Sequence, residues 1–180
     1  MENKTIHILN NLHLNRVERE GNTLKVEGYA CHFGVRNHNG EIVTAESFGD
    51  WLNEMSEGGQ KPVFNYNHDN NRVIGGWDSI EADETGLLVR GHINTDVAFV
   101  RDELLPLIEA GDLSHLSTEG WACGEYDEKQ NAYVCDQFQL TAIALVALPA
   151  DFAAKADIHN KLRKPEGETP KKQRYGKLIY

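Results

Sequence analysis

The run LTAIALVAL at positions 140–148 constrains this chain more than any other segment. Every residue in it except Thr141 is apolar, and Pro149 follows directly. At nine residues it is far short of the roughly 20 that a membrane helix needs. An apolar run of this length, bounded by a residue that cannot continue a ladder, is expected to be a buried central strand. The rest of the chain must supply elements to pair with it and cover it.

Those elements are legible in outline. Residues 12–18 alternate roughly, Gly21-Asn22 supplies a turn, and 23–30 reads as a partner strand with Leu24, Val26 and Ala30 apolar. A turn-rich segment at 34–40 precedes Glu41-Ile42-Val43. Residues 45–55 place Phe48, Trp51, Leu52 and Met55 on one helical face, and Gly58-Gly59 ends that helix. Runs at 72–82 and 86–93 are joined by Asp83-Glu84-Thr85-Gly86, a hairpin signal. A helix from Thr95 or Asp96 to Ala110 carries Phe99, Val100, Leu104, Leu107 and Ile108; Gly111 stops it, and Pro106 is placed to kink it. Strands at 116–125 and 132–138 flank a polar turn at 127–131, and 151–162 fits a last helix.

Many short strands with few helices define an α+β fold: a mainly antiparallel curled sheet or small barrel with two or three flanking helices. The expected domain is 1–163. From Lys164 onward the chain is charged and proline-bearing, the composition of a polar tail or linker over 164–180.

Charge and cysteine content exclude several functions. The formal charge is −10, which argues against a basic nucleic-acid surface. Cys31, Cys123 and Cys135 form no CxxC pair, so neither a disulfide framework nor a thiolate zinc site is expected. The N-terminal residues lack the progression of a signal peptide, and no run is long enough to span a bilayer. A cytoplasmic-type protein with no cofactor and no membrane or nucleic-acid partner is expected.

Two segments carry possible chemistry. In NYNHDN, at 65–70, His68 ends a strand among side chains that cannot build a core. In LSHLSTEGW, at 113–121, Ser117 follows the glycine that stops the long helix, where a hydroxyl beside backbone N–H groups suits acyl transfer. Each segment taken alone is more plainly a polar turn. Convergence of His68, Asp69, His92 and His115 on a metal is a further option, without HxH or HExxH spacing to support it.

The order and spacing of several motifs resemble the prohead proteases of tailed bacteriophages, the group typified by the HK97-like maturation protease and related in fold to herpesvirus assemblins. These motifs are GYACHFG at 28–34, EIVTAESF at 41–48, NHD at 67–69, IGG at 74–76, GLLVRGHI at 86–93, AGDLSHLS at 110–117 and LVALPADFAAKADI at 145–158. The resemblance implies a serine endopeptidase that cleaves scaffold and major capsid protein, and itself, inside the assembling prohead in the bacterial host cytoplasm. It leaves a homo-oligomer open. It places the general base at His68, the nucleophile at Ser117, and an orienting glutamate where this chain has Ala142.

Alanine cannot accept the second N–H of a histidine. Three accounts follow: a His68–Ser117 dyad, another acid such as Asp69, Glu119 or Asp136, or an inactivated variant. Loss of a single carboxylate from an otherwise intact strand makes inactivation the simplest expectation, and a non-catalytic capsid-assembly or scaffold module the alternative function. In a second departure, the glycine expected two residues after the serine comes three after, at Gly120, which puts the expected oxyanion donors, the N–H groups following Ser117, in question.

Overall fold

A computed structural model describes residues 4–13 and 16–147. The expected helix at 151–162, Pro149 and the tail from Lys164 lie outside the described residues. The strands are β1 (Lys4–His13), β2 (Arg16–Glu20), β3 (Thr23–His32), β4 (Glu41–Ile42), β5 (Val63–Tyr66), β6 (Asp69–Ala82), β7 (Gly86–Asn94), β8 (His115–Asp127) and β9 (Ala132–Val146). A 3₁₀ turn at Glu46–Phe48 runs into helix α1 (Gly49–Ser56), and a π-turn at Val100–Leu104 runs into α2 (Leu105–Ala110).

All nine strands form one sheet in the order β1-β8-β9-β5-β6-β7-β3-β2, with β4 pairing with β9 as well. β9 pairs antiparallel with β8 and parallel with β5 and β4; every other ladder is antiparallel. The most apolar run is therefore the central strand that its composition demanded. The sheet curls far enough to bring β1 against β3. No ladder joins the two end strands, β1 and β2, among the described residues, so the curled sheet is not a closed barrel.

The concave side encloses a single core, with Phe48, Phe64, Phe138, Ile74, Leu87, Ile93, Leu104, Leu113, Leu116, Ile143 and Leu145 fully buried. α1 packs on β9, burying Trp51, and the Phe48 ring lies tilted against Phe138 with centroids 5.1 Å apart. The runs expected as two strands, at 132–138 and 140–148, are joined in one, β9, which ends at Val146. β9 stays continuous because it bulges: Glu119 faces Ala142 but Gly120 faces Leu140, leaving Thr141 as the extra residue. Gly120 allows that close approach, since a Cβ there would lie 2.2 Å from the Gln139 carbonyl oxygen and 2.7 Å from Phe138.

Proline shapes the second helix. Pro106 has no N–H and crowds the preceding turn, and the helix answers by shifting to i→i+5 bonding, with the Leu105 N–H donating to the Val100 oxygen. Gly111, at φ 81°, closes α2, and the Asp112 N–H donates to Leu107 O at 2.9 Å. The 83–85 loop is held by Asp83, whose carboxylate accepts from the Thr85 and Gly86 N–H groups and from the Tyr29 hydroxyl. β1 was not foreseen: its asparagines and few apolar residues give no clear period.

Burial sorts the three thiols. Cys31 and Cys135 are inaccessible, and desolvation pushes each up to about 12, whereas Cys123 is half-buried. At pH 8 a native sample should therefore expose one thiol to a disulfide-exchange reagent and three after denaturation; fast reaction of three native thiols would contradict this packing.

Candidate active site

Ser117 and Glu119 are two residues apart on β8, so the strand period points both side chains to the same face. β9 fixes what lies beside them. Ser117 faces Ala144 and Glu119 faces Ala142, while on the other side of β9 Asn65 of β5 also faces Ala144. One row across three strands thus holds Asn65, Ala144 and Ser117, all fully buried. The alanines leave this row free of bulky side chains.

β5 continues past Tyr66 into a two-residue connection to β6, formed by Asn67 and His68. Both have positive φ, 55° and 60°, as a type I′ hairpin turn requires. Asparagine tolerates that conformation. Histidine stands where glycine is favoured, at a cost of about 1–2 kcal/mol. The Asn67 N–H donates to Leu145 O at 3.0 Å, carrying the parallel ladder one step beyond the strand. Below the tip, Asn65 Nδ2 donates to Asn70 Oδ1 at 2.7 Å and ties β5 to β6.

From that turn the imidazole reaches across β9. His68 Nε2 lies 2.8 Å from Ser117 Oγ, and Nδ1 lies 3.2 Å from Glu119 Oε2. An ionised carboxylate only accepts, so Nδ1–H donates to Glu119 and the bare Nε2 accepts the Ser117 hydroxyl. His68 and Glu119 retain 14% and 15% side-chain exposure, while Ser117 has none.

Of the remaining sequence candidates, His115 lies two residues before Ser117 on β8, facing Val146. Asp69 accepts from the Asn71 backbone N–H at 2.9 Å, and Asp136 is exposed at the far end of β9. His92 Nδ1 sits 3.1 Å from Asp78 on β6. Among the described residues no three His, Cys, Asp or Glu side chains are grouped to hold a metal.

Three expectations at the site meet this geometry. Ala142 stands where the family resemblance implies an orienting glutamate, which is the ground for expecting a dyad, another acid or an inactivated variant. The carboxylate within reach of Nδ1 is that of Glu119, on the strand opposite Ala142 and one of the alternative acids that the sequence offered. The glycine expected two residues after Ser117 is absent because Glu119 occupies that position; Gly120 serves the bulge. The N–H groups after Ser117 were also expected to hold an oxyanion. β8 is paired on both sides there, with Leu9, Ile8 and His7 of β1 and with Ala144, Ile143 and Ala142 of β9, so these groups point along the sheet into its ladders. A signal for Glu119 was present in the sequence: Ser-x-Glu on a strand puts both side chains on one face.

A profile of the caudovirus prohead serine protease family matches residues 10–167, and the chain belongs to that family. It is a protease of phage prohead maturation. No curated protein matches the sequence. Among solved structures, the capsid assembly protease of bacteriophage T4, gp21, aligns with a TM-score of 0.70 at 14% identity, covering 83% of this chain and 100% of that one. At that identity the likeness is one of fold.

Two variants at the turn separate strain from chemistry. His68→Gly and His68→Ala should both be inactive, yet the glycine variant should be the more stable by about 1 kcal/mol, because only alanine pays for positive φ. Equal denaturation midpoints would contradict the strained turn. A second pair concerns the acid. Glu119→Gln should lower kcat by roughly 10²–10⁴-fold, whereas Ala142→Glu should gain nothing, because it sets two carboxylates side by side across one ladder. A gain in peptide cleavage by Ala142→Glu would overturn this assignment.

Proposed function

We propose that this chain is an active serine endopeptidase working through Ser117, His68 and Glu119. The observation that carries the reading is the His68 imidazole, bonded through Nε2 to the Ser117 hydroxyl and through Nδ1 to the Glu119 carboxylate. The substrates are scaffold and major capsid protein segments, and the chain itself, cut inside the assembling prohead; the motif order that suggests this also suggests kinship in fold with the assemblins.

The geometry supports a stepwise acyl transfer. As Ser117 Oγ attacks the scissile carbonyl, its proton passes to His68 Nε2. Glu119 keeps the ring in the right tautomer and stabilises the imidazolium that forms. Collapse of the tetrahedral adduct returns the proton to the leaving amine and leaves an acyl group on Oγ. A water deprotonated by the same nitrogen then hydrolyses that ester. Burial of Ser117 means that a substrate carbonyl must enter between the serine and what lies over it, a step that limits unwanted cleavage.

A second reading, a non-catalytic assembly module, draws its support from that same burial. A fluorophosphonate probe decides between them. The active reading expects labelling of the wild type, its complete loss in Ser117→Ala, and strong reduction in Glu119→Gln. A folded wild type that never labels, even with capsid and scaffold proteins present, would favour the module.

A further inference from the structure

The His68 turn is strained, yet three elements meet beside it in an arrangement that catalysis by the triad does not itself require. Arg72, on β6, lies with its guanidinium carbon 5.1 Å from the Tyr66 ring centroid and 4.4 Å from that of Phe99. Its Nη2 donates to Glu103 at 2.6 Å. Tyr66 is the last residue of β5, immediately before Asn67-His68. Phe99 and Glu103 flank and belong to the π-turn ahead of α2, four residues apart and so presented together. One planar cation is thus held between two rings and fixed in rotation by a carboxylate. The guanidinium is suited to this, being flat, permanently charged and weakly hydrated.

We propose that Arg72 is a positioning residue for His68, clamping the hairpin tip to the π-turn so that the strained turn presents Nε2 to Ser117. This rests on the triad reading above. The backbone bond from Asn67 to Leu145 fixes the turn on its β9 side; the Tyr66–Arg72–Phe99 stack fixes it on the helix side. Without the stack, the turn can trade its positive φ values for a relaxed geometry, and the imidazole swings from the serine. A displacement of about 1 Å at a reacting group can cost on the order of 100-fold in rate. The π-turn then has a use beyond accommodating Pro106, since it sets Phe99 and Glu103 where one arginine engages both.

The test compares wild type, Arg72→Ala, Arg72→Lys and Phe99→Leu by fluorophosphonate labelling of Ser117, by thermal denaturation, and by the proton resonance of His68 Nδ1–H in its bond to Glu119. Arg72→Ala should slow the maximal labelling rate roughly 10- to 100-fold with the probe's half-saturation concentration unchanged. Millimolar methylguanidinium should restore part of that rate by filling the slot between the rings. Arg72→Lys should fall between, since it keeps the charge but loses the stack. Should Arg72→Ala not fold, Phe99→Leu removes one face of the clamp and should slow labelling in the same sense. Unchanged labelling in the folded variants, or slowing that follows the unfolded fraction and ignores methylguanidinium, overturns the proposal. If the wild type itself fails to label, the triad reading fails separately; the clamp is then decided by the Nδ1–H resonance, which should be lost or shifted in Arg72→Ala and would refute the clamp if unchanged.

Discussion

The pairing of β9 on both of its edges is the constraint on which the rest depends. Ala144 is the common point of two registers, facing Ser117 in the antiparallel ladder and Asn65 in the parallel one. Because side chains alternate with a period of two, a one-residue slip in either ladder would turn the serine away from its face or shift the His68 turn along the strand. The apolar content of β9 makes such slips costly, since Ile143 and Leu145 would leave the core. Hydrophobic burial, rather than any bond among Ser117, His68 and Glu119, therefore sets the distance between the serine and the histidine.

Within that frame the carboxylate beside His68 is a matter of strand geometry. A carboxylate at position 142 and one at 119 would emerge from facing positions on adjacent strands, so either can approach the same imidazole nitrogen from neighbouring points. This chain places Glu119 two residues from Ser117 on β8 and a small residue, Ala142, opposite it. The change also explains the displaced glycine. The close contacts at Gly120 show that this glycine answers to the bulge in β9, not to an oxyanion.

His68 is held at some cost in backbone strain. A histidine at positive φ gives up conformational preference to aim its ring, and such strain persists where surrounding contacts over-determine it. Here the contacts are the Leu145 carbonyl, the Asn65–Asn70 bond and the aromatic pair around Arg72. Most of this support lies in β6 and the π-turn, elements with no chemistry of their own.

The central strand, the 83–86 hairpin, the Trp51 helix and the Gly111 stop were all legible in the sequence, because each rests on local pattern: apolar period, turn chemistry or capping. His68 and Ser117 were legible only as motifs in order, and β1 was not legible at all. The sequence by itself determined which residues could form a core and which few polar side chains were left to do chemistry. Only the tertiary structure decided that the Glu119 carboxylate, not a side chain at position 142, meets His68 Nδ1, and that the sheet curls without closing among the described residues. Both depend on register between strands distant in the chain, where the partner of a side chain is chosen by the packing of whole faces and not by its neighbours in sequence.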